Sequence, residues 1–374
     1  MSAAQRLPVL VSTLGVGAAL VALVAVPSAR ETASRYLGVS APGGTWRLLA
    51  IGFALLNVKS LPFAWHYRVF RHILYQLYLA PKPMTAPQLF KPIITSSYNA
   101  ITECDYNLHK SNSTYFADLD AARAALMGAL LRKSLARLNK GDMTGLPEEA
   151  KTTKGKYIIA LGGIACTFRK EIKPLEQFDI WTKVLTWDEK WIYVVSHVVK
   201  KNTKQPSTFF LQPWKKGSKK TQTADAGLKE EKDWTKSVFA TSIAKYVCKK
   251  GRLTIPPEVF LTRGDLLPPK PSNVPTPAAT AIDTPATTGQ DTPANLSSPE
   301  NLAADVMEKL GQTAGADKSD DAAVYDADGM TWEEVEKVRL RGLELAKNFD
   351  SLAKLHGEFG AEEEVLGKYS DFFW

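Results

Sequence analysis

The sequence predicts an α+β domain in which one long helix lies against an antiparallel sheet. Three observations lead there. Asn112 to Leu138 is rich in alanine and leucine, has no proline and has glycine only at Gly128, as an uninterrupted helix requires. Four later runs, Lys156 to Arg169, Phe178 to Trp187, Lys190 to Val199 and Lys236 to Lys249, are rich in β-branched and aromatic residues, which suit a pleated, half-buried surface. Between two of them, Trp187-Asp188-Glu189-Lys190 reads as a hairpin turn. A first strand precedes the helix: Pro92 to Thr102 (PIITSSYNAIT) alternates well enough. In the helix, Leu119, Ala122, Leu126 and Leu130 share one apolar face, and the many alanines let other elements approach closely.

The domain occupies residues 86–265, with a basic insertion at 200–235. The remainder divides by composition. In residues 1–58, Leu7 to Val26 is an uncharged apolar run. Twenty residues at about 1.5 Å each reach roughly 30 Å, the thickness of a bilayer core. Gly15 and Ala19, four apart, let a neighbouring helix come close. The run is long for the core of a cleaved signal peptide and lacks the interleaved arginines of a mitochondrial presequence, so an uncleaved anchor is favoured. Leu48 to Val58 is apolar but too short to span. Residues 59–85 follow as a helix with Phe70, Ile73, Leu74 and Leu77 on one side and Arg68, Arg71 and His72 among its polar groups. It suits a membrane interface and suits packing on the folded domain equally well. Arg30, Arg35 and Arg47 follow the first apolar run and only Arg6 precedes it, which places the rest of the chain in the cytosol.

Lys200 to Lys220 carries lysines without an acid, with Phe209, Phe210 and Trp214 between them. Such a loop can touch lipid headgroups or nucleic acid, but a solvated excursion is the simpler reading. Residues 266–330 turn to Pro, Thr, Ala, Ser and Asp and read as a disordered linker. Residues 331–374 begin with a capping box, Thr331 and Glu334, and carry Val335, Val338, Gly342, Leu345, Phe349 and Leu352 at helical spacing. This last helix either docks on the domain or pairs with a partner.

The 374 residues carry Lys+Arg 47 against Asp+Glu 39, a formal charge of +8, and are 45% hydrophobic. Disorder throughout and a polytopic transporter are both excluded. The basic excess is modest and local, so no nucleic-acid partner is expected. Cys104, Cys166 and Cys248 stand far apart, which argues against a disulfide scaffold and a thiolate metal site; no metal and no cofactor are expected. There is no G-x-S-x-G elbow, P-loop, G-x-G-x-x-G or H-E-x-x-H.

Chemistry has one conspicuous place, Asp105-Tyr106-Asn107-Leu108-His109, between the first strand and the long helix. If this stretch is extended, Asp105, Asn107 and His109 share a face. They would then converge beside the helix start at Asn112, Ser113 and Thr114, whose free backbone N–H groups can hold the oxyanion of an attacked carbonyl. Asp105 would attack or activate a water, Asn107 would orient it, and His109 would polarise the carbonyl or move a proton. On spacing alone, a polar loop in which Asn112 and its neighbours cap the helix is the stronger reading.

The wider stretch ECDYNLHKSNSTYFADLDAAR, Glu103 to Arg123, resembles the signature of hotdog-fold thioesterases of the 4-hydroxybenzoyl-CoA thioesterase superfamily, with Asp105, His109, Asn112, Tyr115, Asp120 and Arg123 at the motif positions. Lys110 and Ser111 depart from it, standing where Val or Met and an Asn are usual. QFDIWTKVLTWDEKWIYVVSHVV, Gln177 to Val199, is similar to the third and fourth strands of the membrane-anchored thioesterase superfamily member six group. The resemblance implies a hotdog fold, catalysis by Asp105, Asn107 and His109, and substrate contacts from Asn112, Ser113, Thr114 and Tyr115. It further implies a homodimer that hydrolyses acyl-CoA or another fatty-acyl thioester beside membrane lipids. The expected location is the endoplasmic reticulum membrane with the catalytic domain in the cytosol, a mitochondrial membrane being the alternative. The competing function is a catalytically silent hotdog that binds lipid or scaffolds a membrane complex.

Overall fold

A computed structural model describes residues 27–38, 42–146, 148–204, 206–215, 234–271, 331–352 and 355. The apolar run Leu7 to Val26, nearly all of the proposed linker and the lysine-rich stretch after Lys215 lie outside these residues. Among the described residues, no helix is long and apolar enough to cross a membrane.

The chain forms two units. The first contains helices α1 (Pro27–Leu37) and α2 (Gly44–Leu56) and takes in residues 100–104. Helix α2 is apolar on nearly all sides, and Trp46, Leu48, Leu49, Phe53, Leu55 and Leu56 are exposed. Its end is tied to residues 100–104 by polar contacts. The Asn57 side-chain carbonyl accepts from the Thr102 N–H at 2.8 Å and from its hydroxyl at 3.0 Å. Beside it, Lys59 and Glu103 form a buried ion pair at 2.8 Å.

The second unit holds α3 from Trp65 onward, strand β1 (Ile93–Tyr98), the long helix α4 (Thr114–Asn139), the short α5 (Glu148–Thr152) and strands β2 (Tyr157–Phe168), β3 (Gln177–Trp187) and β4 (Trp191–Lys200). Strands β5 (Val238–Lys250) and β6 (Leu253–Ile255), helix α6 (Pro257–Arg263) and helix α7 (Trp332–Asp350) complete it. Helix α3 as a whole runs from Ala64 to Leu74 and closes in a π-turn, Tyr75–Leu79.

The sheet is antiparallel throughout, in the order β1-β3-β4-β5-β2, with β6 on β5. Alternation assigns its faces. Phe178, Ile180, Thr182 and Val184 of β3 are almost fully buried, and their partners Val194, Ser196 and Val198 on β4 are buried with them. This face meets α4, whose Leu119, Leu126 and Leu130 are at most 2% exposed. Each such leucine contributes about 1.5–3 kcal/mol by leaving water. The predicted helix face and the four later strands are therefore all present, and a long helix against an antiparallel sheet is the hotdog arrangement.

Helix α3 makes specific contacts within the second unit. It packs on α4: a Cβ at Gly128 would lie 3.0 Å from the Gln76 Cβ and 3.5 Å from the Ile73 Cα, so any larger residue would push the two helices slightly apart. Arg68 of α3 donates to Asp118 of α4, and the Trp65 indole N–H to Asp120 at 3.3 Å. The expected interfacial helix is thus a layer of the folded unit.

Helix α7 covers the other face of the sheet. The capping box forms as expected: Thr331 Oγ1 accepts from the Glu334 N–H at 3.3 Å and the Glu334 carboxylate from the Thr331 N–H at 2.8 Å. The docked face differs from the expected stripe. Val335, Gly342 and Ala346 turn inward, whereas Val338 and Leu345 are exposed. The reason is close approach: a Cβ at Gly342 would lie 2.5 Å from the Leu185 carbonyl oxygen and 2.7 Å from the Thr186 Cβ. The Thr186 hydroxyl donates to the Arg339 carbonyl at 2.7 Å, and the Arg339 guanidinium to the Trp187 carbonyl at 3.2 Å. Gly342→Leu should therefore displace α7 and cost on the order of 1–3 kcal/mol, seen as a lower melting temperature; an unchanged melt would show that α7 contributes nothing to stability.

Candidate active site

The Asp105–His109 stretch is a closed turn, which corrects the extended reading. The Asp105 N–H donates to the His109 carbonyl at 2.8 Å, and the Leu108 N–H to the Asp105 carbonyl at 3.0 Å. Leu108 has φ 60°, a left-handed conformation that breaks the alternation. The Asp105 carboxylate turns back on its own loop: one oxygen accepts from the Asn107 N–H at 2.9 Å and the His109 N–H at 3.4 Å. A carboxylate in this role locks the turn as an Asx-turn does. At the tip Tyr106 is 93% exposed and Leu108 69%. Asn107 is exposed as well, while the His109 ring is half-buried with its Nε2 3.8 Å from a Glu171 carboxylate oxygen. The turn thus links Asp105 to Asn107 and His109 through their backbone.

The start of α4 also differs from the capped-helix reading. Ser113 at the N-cap has helical φ and ψ and makes no side-chain cap, and Asn112 is exposed. The Thr114 hydroxyl donates instead to the Ser111 carbonyl at 2.7 Å, and Ser111 and Ser113 share a hydroxyl contact at 3.0 Å. A helix start without a side-chain cap keeps its positive dipole end open to an anionic or polarised group. Tyr115, one residue on, is 2% exposed, its ring edge-on to Phe168 with centroids 5.0 Å apart. Burial first, then Cys166, Asp118 and Glu176, holds its hydroxyl well above the ordinary phenol range. Burial also pushes the Cys166 thiol up to about 11, against a small opposing pull from Arg123.

What anchors the turn is a residue that the motif reading treated as a departure. Lys110 follows the turn directly and its side chain is fully buried. Its ammonium meets the Asp118 carboxylate at 2.9 Å and lies 5.3 Å from the Tyr115 ring centroid and 5.6 Å from that of Phe178. Asp118 also accepts from Arg68 and from the Ser97 hydroxyl at 3.1 Å. The Lys110 N–H donates to the Ile172 carbonyl at 2.9 Å. One buried carboxylate on α4 therefore gathers α3, β1 and the segment after the turn. The signal was legible in principle: an acid at position 118 within an alanine-rich buried helix demands a cation.

The second motif pair sits lower on α4. Arg123 is 2% exposed and donates to Asp120 at 2.5 Å; its Nε and Nη1 make no hydrogen bond among the described residues. Among those residues, no group of three or more His, Cys, Asp or Glu is placed to hold a metal ion.

Comparison with known proteins follows this geometry. A family model described as the thioesterase-like superfamily matches residues 100–214, which include the turn, α4 and the strands β2 to β4. The chain is 33% identical over 340 residues to the probable thioesterase atnL of Emericella nidulans, covering 86% of this chain and 91% of that one. It is 30% identical over 328 residues to the thioesterase lcsJ of Purpureocillium lilacinum, covering 80% and 88%. It is 29% identical over 333 residues to the thioesterase poxG of Penicillium oxalicum, covering 87% and 90%. The chain belongs to the thioesterase-like superfamily.

Lys110→Ala should destabilise the fold by about 3 kcal/mol, because it leaves Asp118 buried without its ammonium partner. Chemical denaturation would measure this, and a loss well under 1 kcal/mol would mean that the pair does not hold the turn.

Proposed function

We propose that this protein hydrolyses acyl thioesters, with acyl-CoA as the substrate class. The observation that carries the reading is the Asp105–His109 turn, seated directly before the uncapped start of the central helix in a chain of this superfamily. In this reading the thioester carbonyl lies against the Tyr115 N–H at the positive end of the helix, where negative charge developing on its oxygen is stabilised; the Thr114 N–H is already held by the Ser111 carbonyl at 3.0 Å. Asp105 acts as base or nucleophile once substrate draws its carboxylate away from the loop N–H groups. His109 moves the proton to the leaving thiolate, and Asn107 orients the carboxylate or the water. Bond-making is then acyl transfer to Asp105 or directly to water, with the CoA thiol as leaving group.

Two finer elements belong to this proposal. The active form is a homodimer: Tyr106 and Leu108 offer apolar surface at the turn tip that a second subunit would cover. The protein is held at a membrane, with endoplasmic reticulum and a cytosolic catalytic domain as the preferred setting, as in the membrane-anchored member six group. Two observations support that setting. The exposed apolar residues of α2 far exceed scattered surface hydrophobics. Between Glu31 and Glu103 the chain contains no acidic residue at all while carrying Arg35, Arg47, Arg71, Lys82 and Lys91 besides the ion-paired Lys59 and Arg68, which complements anionic headgroups. Long-chain fatty-acyl thioesters, which partition into such a membrane, are the substrates this placement favours.

The test is hydrolysis of acyl-CoA across chain lengths by the full chain and by Asp105→Asn. Loss of a positioned base should lower kcat/KM by about 100-fold or more. Equal rates for the two proteins, or no hydrolysis at any chain length, would sink the catalytic reading and leave a lipid-binding or scaffolding role.

A further inference from the structure

A large cleft lies in the second unit on residues that share nothing with the Asp105 turn. It encloses about 1320 Å³ between α3 with its π-turn, strand β1 and the segment 201–215 of the insertion. That volume exceeds the few hundred to about 1,000 Å³ common for small-molecule sites.

The cleft is chemically polarised. Its rim carries Arg71, Lys82, Lys91, Lys201 and Lys215. The one acid among its lining residues, Asp179, is engaged: it accepts from the Ser96 hydroxyl at 2.6 Å and from the Asn202 N–H at 3.2 Å, which pins the insertion to β3. His72 also lines the cleft, and burial first, then Arg71 and Arg68, lowers its pKa to about 4. It is therefore neutral near pH 7 and leaves the rim's charge to the lysines and Arg71. The floor is different. Met84 is 4% exposed and Ala125 of α4 only 1%, and Phe209 and Leu211 of the insertion add apolar wall. One polar group stands out on this lining: Gln76 is 8% exposed, and its side-chain oxygen accepts no hydrogen bond among the described residues.

We propose that this cleft binds a phosphate-bearing amphiphile, with the phosphate at the cationic rim and the hydrocarbon chain on the Met84–Ala125 floor. Two sources share that chemistry, an acyl-CoA and a lysophospholipid. The insertion thereby gains a role: it supplies one wall of a second ligand site, separate from the proposed thioester site and independent of whether that site is catalytic.

The experiment measures calorimetric binding of four soluble probes to the full chain: a non-hydrolysable octyl-CoA thioether, octanoyl lysophosphatidate, coenzyme A and octanoate. The expected result is that one or both of the phosphate-bearing octyl probes bind at least about tenfold more tightly than octanoate and than coenzyme A, since both charge and chain are needed. Tight binding of the thioether alone, lost in a variant of the cleft rim, assigns the cleft to acyl-CoA, and of lysophosphatidate alone to phospholipid. Lys82→Glu with Lys91→Glu, both exposed and so compatible with folding, should weaken that binding at least about tenfold with the melting temperature retained. Asp105→Asn should leave it intact. Octanoate binding as tightly as the phosphate-bearing probes, no binding of either, unchanged affinity in the folded double variant, or a loss in Asp105→Asn would each overturn the assignment.

Discussion

The second unit is organised around a helix that must be buried on nearly every side. Helix α4 contacts β1 and β3 of the sheet, the π-turn after α3, and α6. That many neighbours cannot crowd one helix unless its surface is small where they cross. Ala121, Ala122, Ala125, Gly128 and Ala129 provide the room, while Leu119, Leu126 and Leu130 supply the apolar payload. The remaining layers inherit their positions from this arrangement. The sheet closes over one side because its inward residues fit those leucines. Helix α3 reaches the other side because Gly128 lets its backbone come within contact distance. The cationic cleft is a by-product: where α3 and the insertion flank β1 they leave an opening down to Ala125.

The same helix positions the proposed chemistry. Its first turn is partly exposed, and the Asp105–His109 turn precedes it with Lys110 as the fastening. A rigid, buried fastening beside an exposed turn is the combination expected where a reactive loop must hold its place without being packed away.

Much of the fold was legible because it rests on local composition. The α4 helix, its apolar face, the four later strands and the Thr331 capping box all follow from residue type and period. What was not legible depends on contacts between distant segments. The Asp105 stretch looks extended by spacing, but a carboxylate that caps its own loop and a left-handed Leu108 override the alternation. The expected stripe on α7 held for Val335 and Gly342 but took in the exposed Val338 and Leu345 and missed Ala346, because apolar period ranks large residues above small ones whereas close backbone approach ranks them the other way. The contacts of helix α3 with the folded unit depend on Asp118, Asp120 and Gly128 of another element, which its own spacing does not show. Lys110 was visible merely as a mismatch to a motif, since nothing local says that its ammonium finds Asp118.

That last pair has a consequence for how such a sequence can change over time. An apolar residue at position 110 and an acid at 118 cannot coexist comfortably, because the buried acid would lose the ammonium that meets it at 2.9 Å. Nor can Lys110 persist easily with a neutral residue at 118, since its fully buried ammonium would lose that carboxylate. Each single step therefore crosses a less stable intermediate, and the two positions are energetically coupled. Once the lysine and the aspartate were both in place, drift at either site became conditional on the other. The pair thus constrains the chain beside it: a change at either position must be matched at the other.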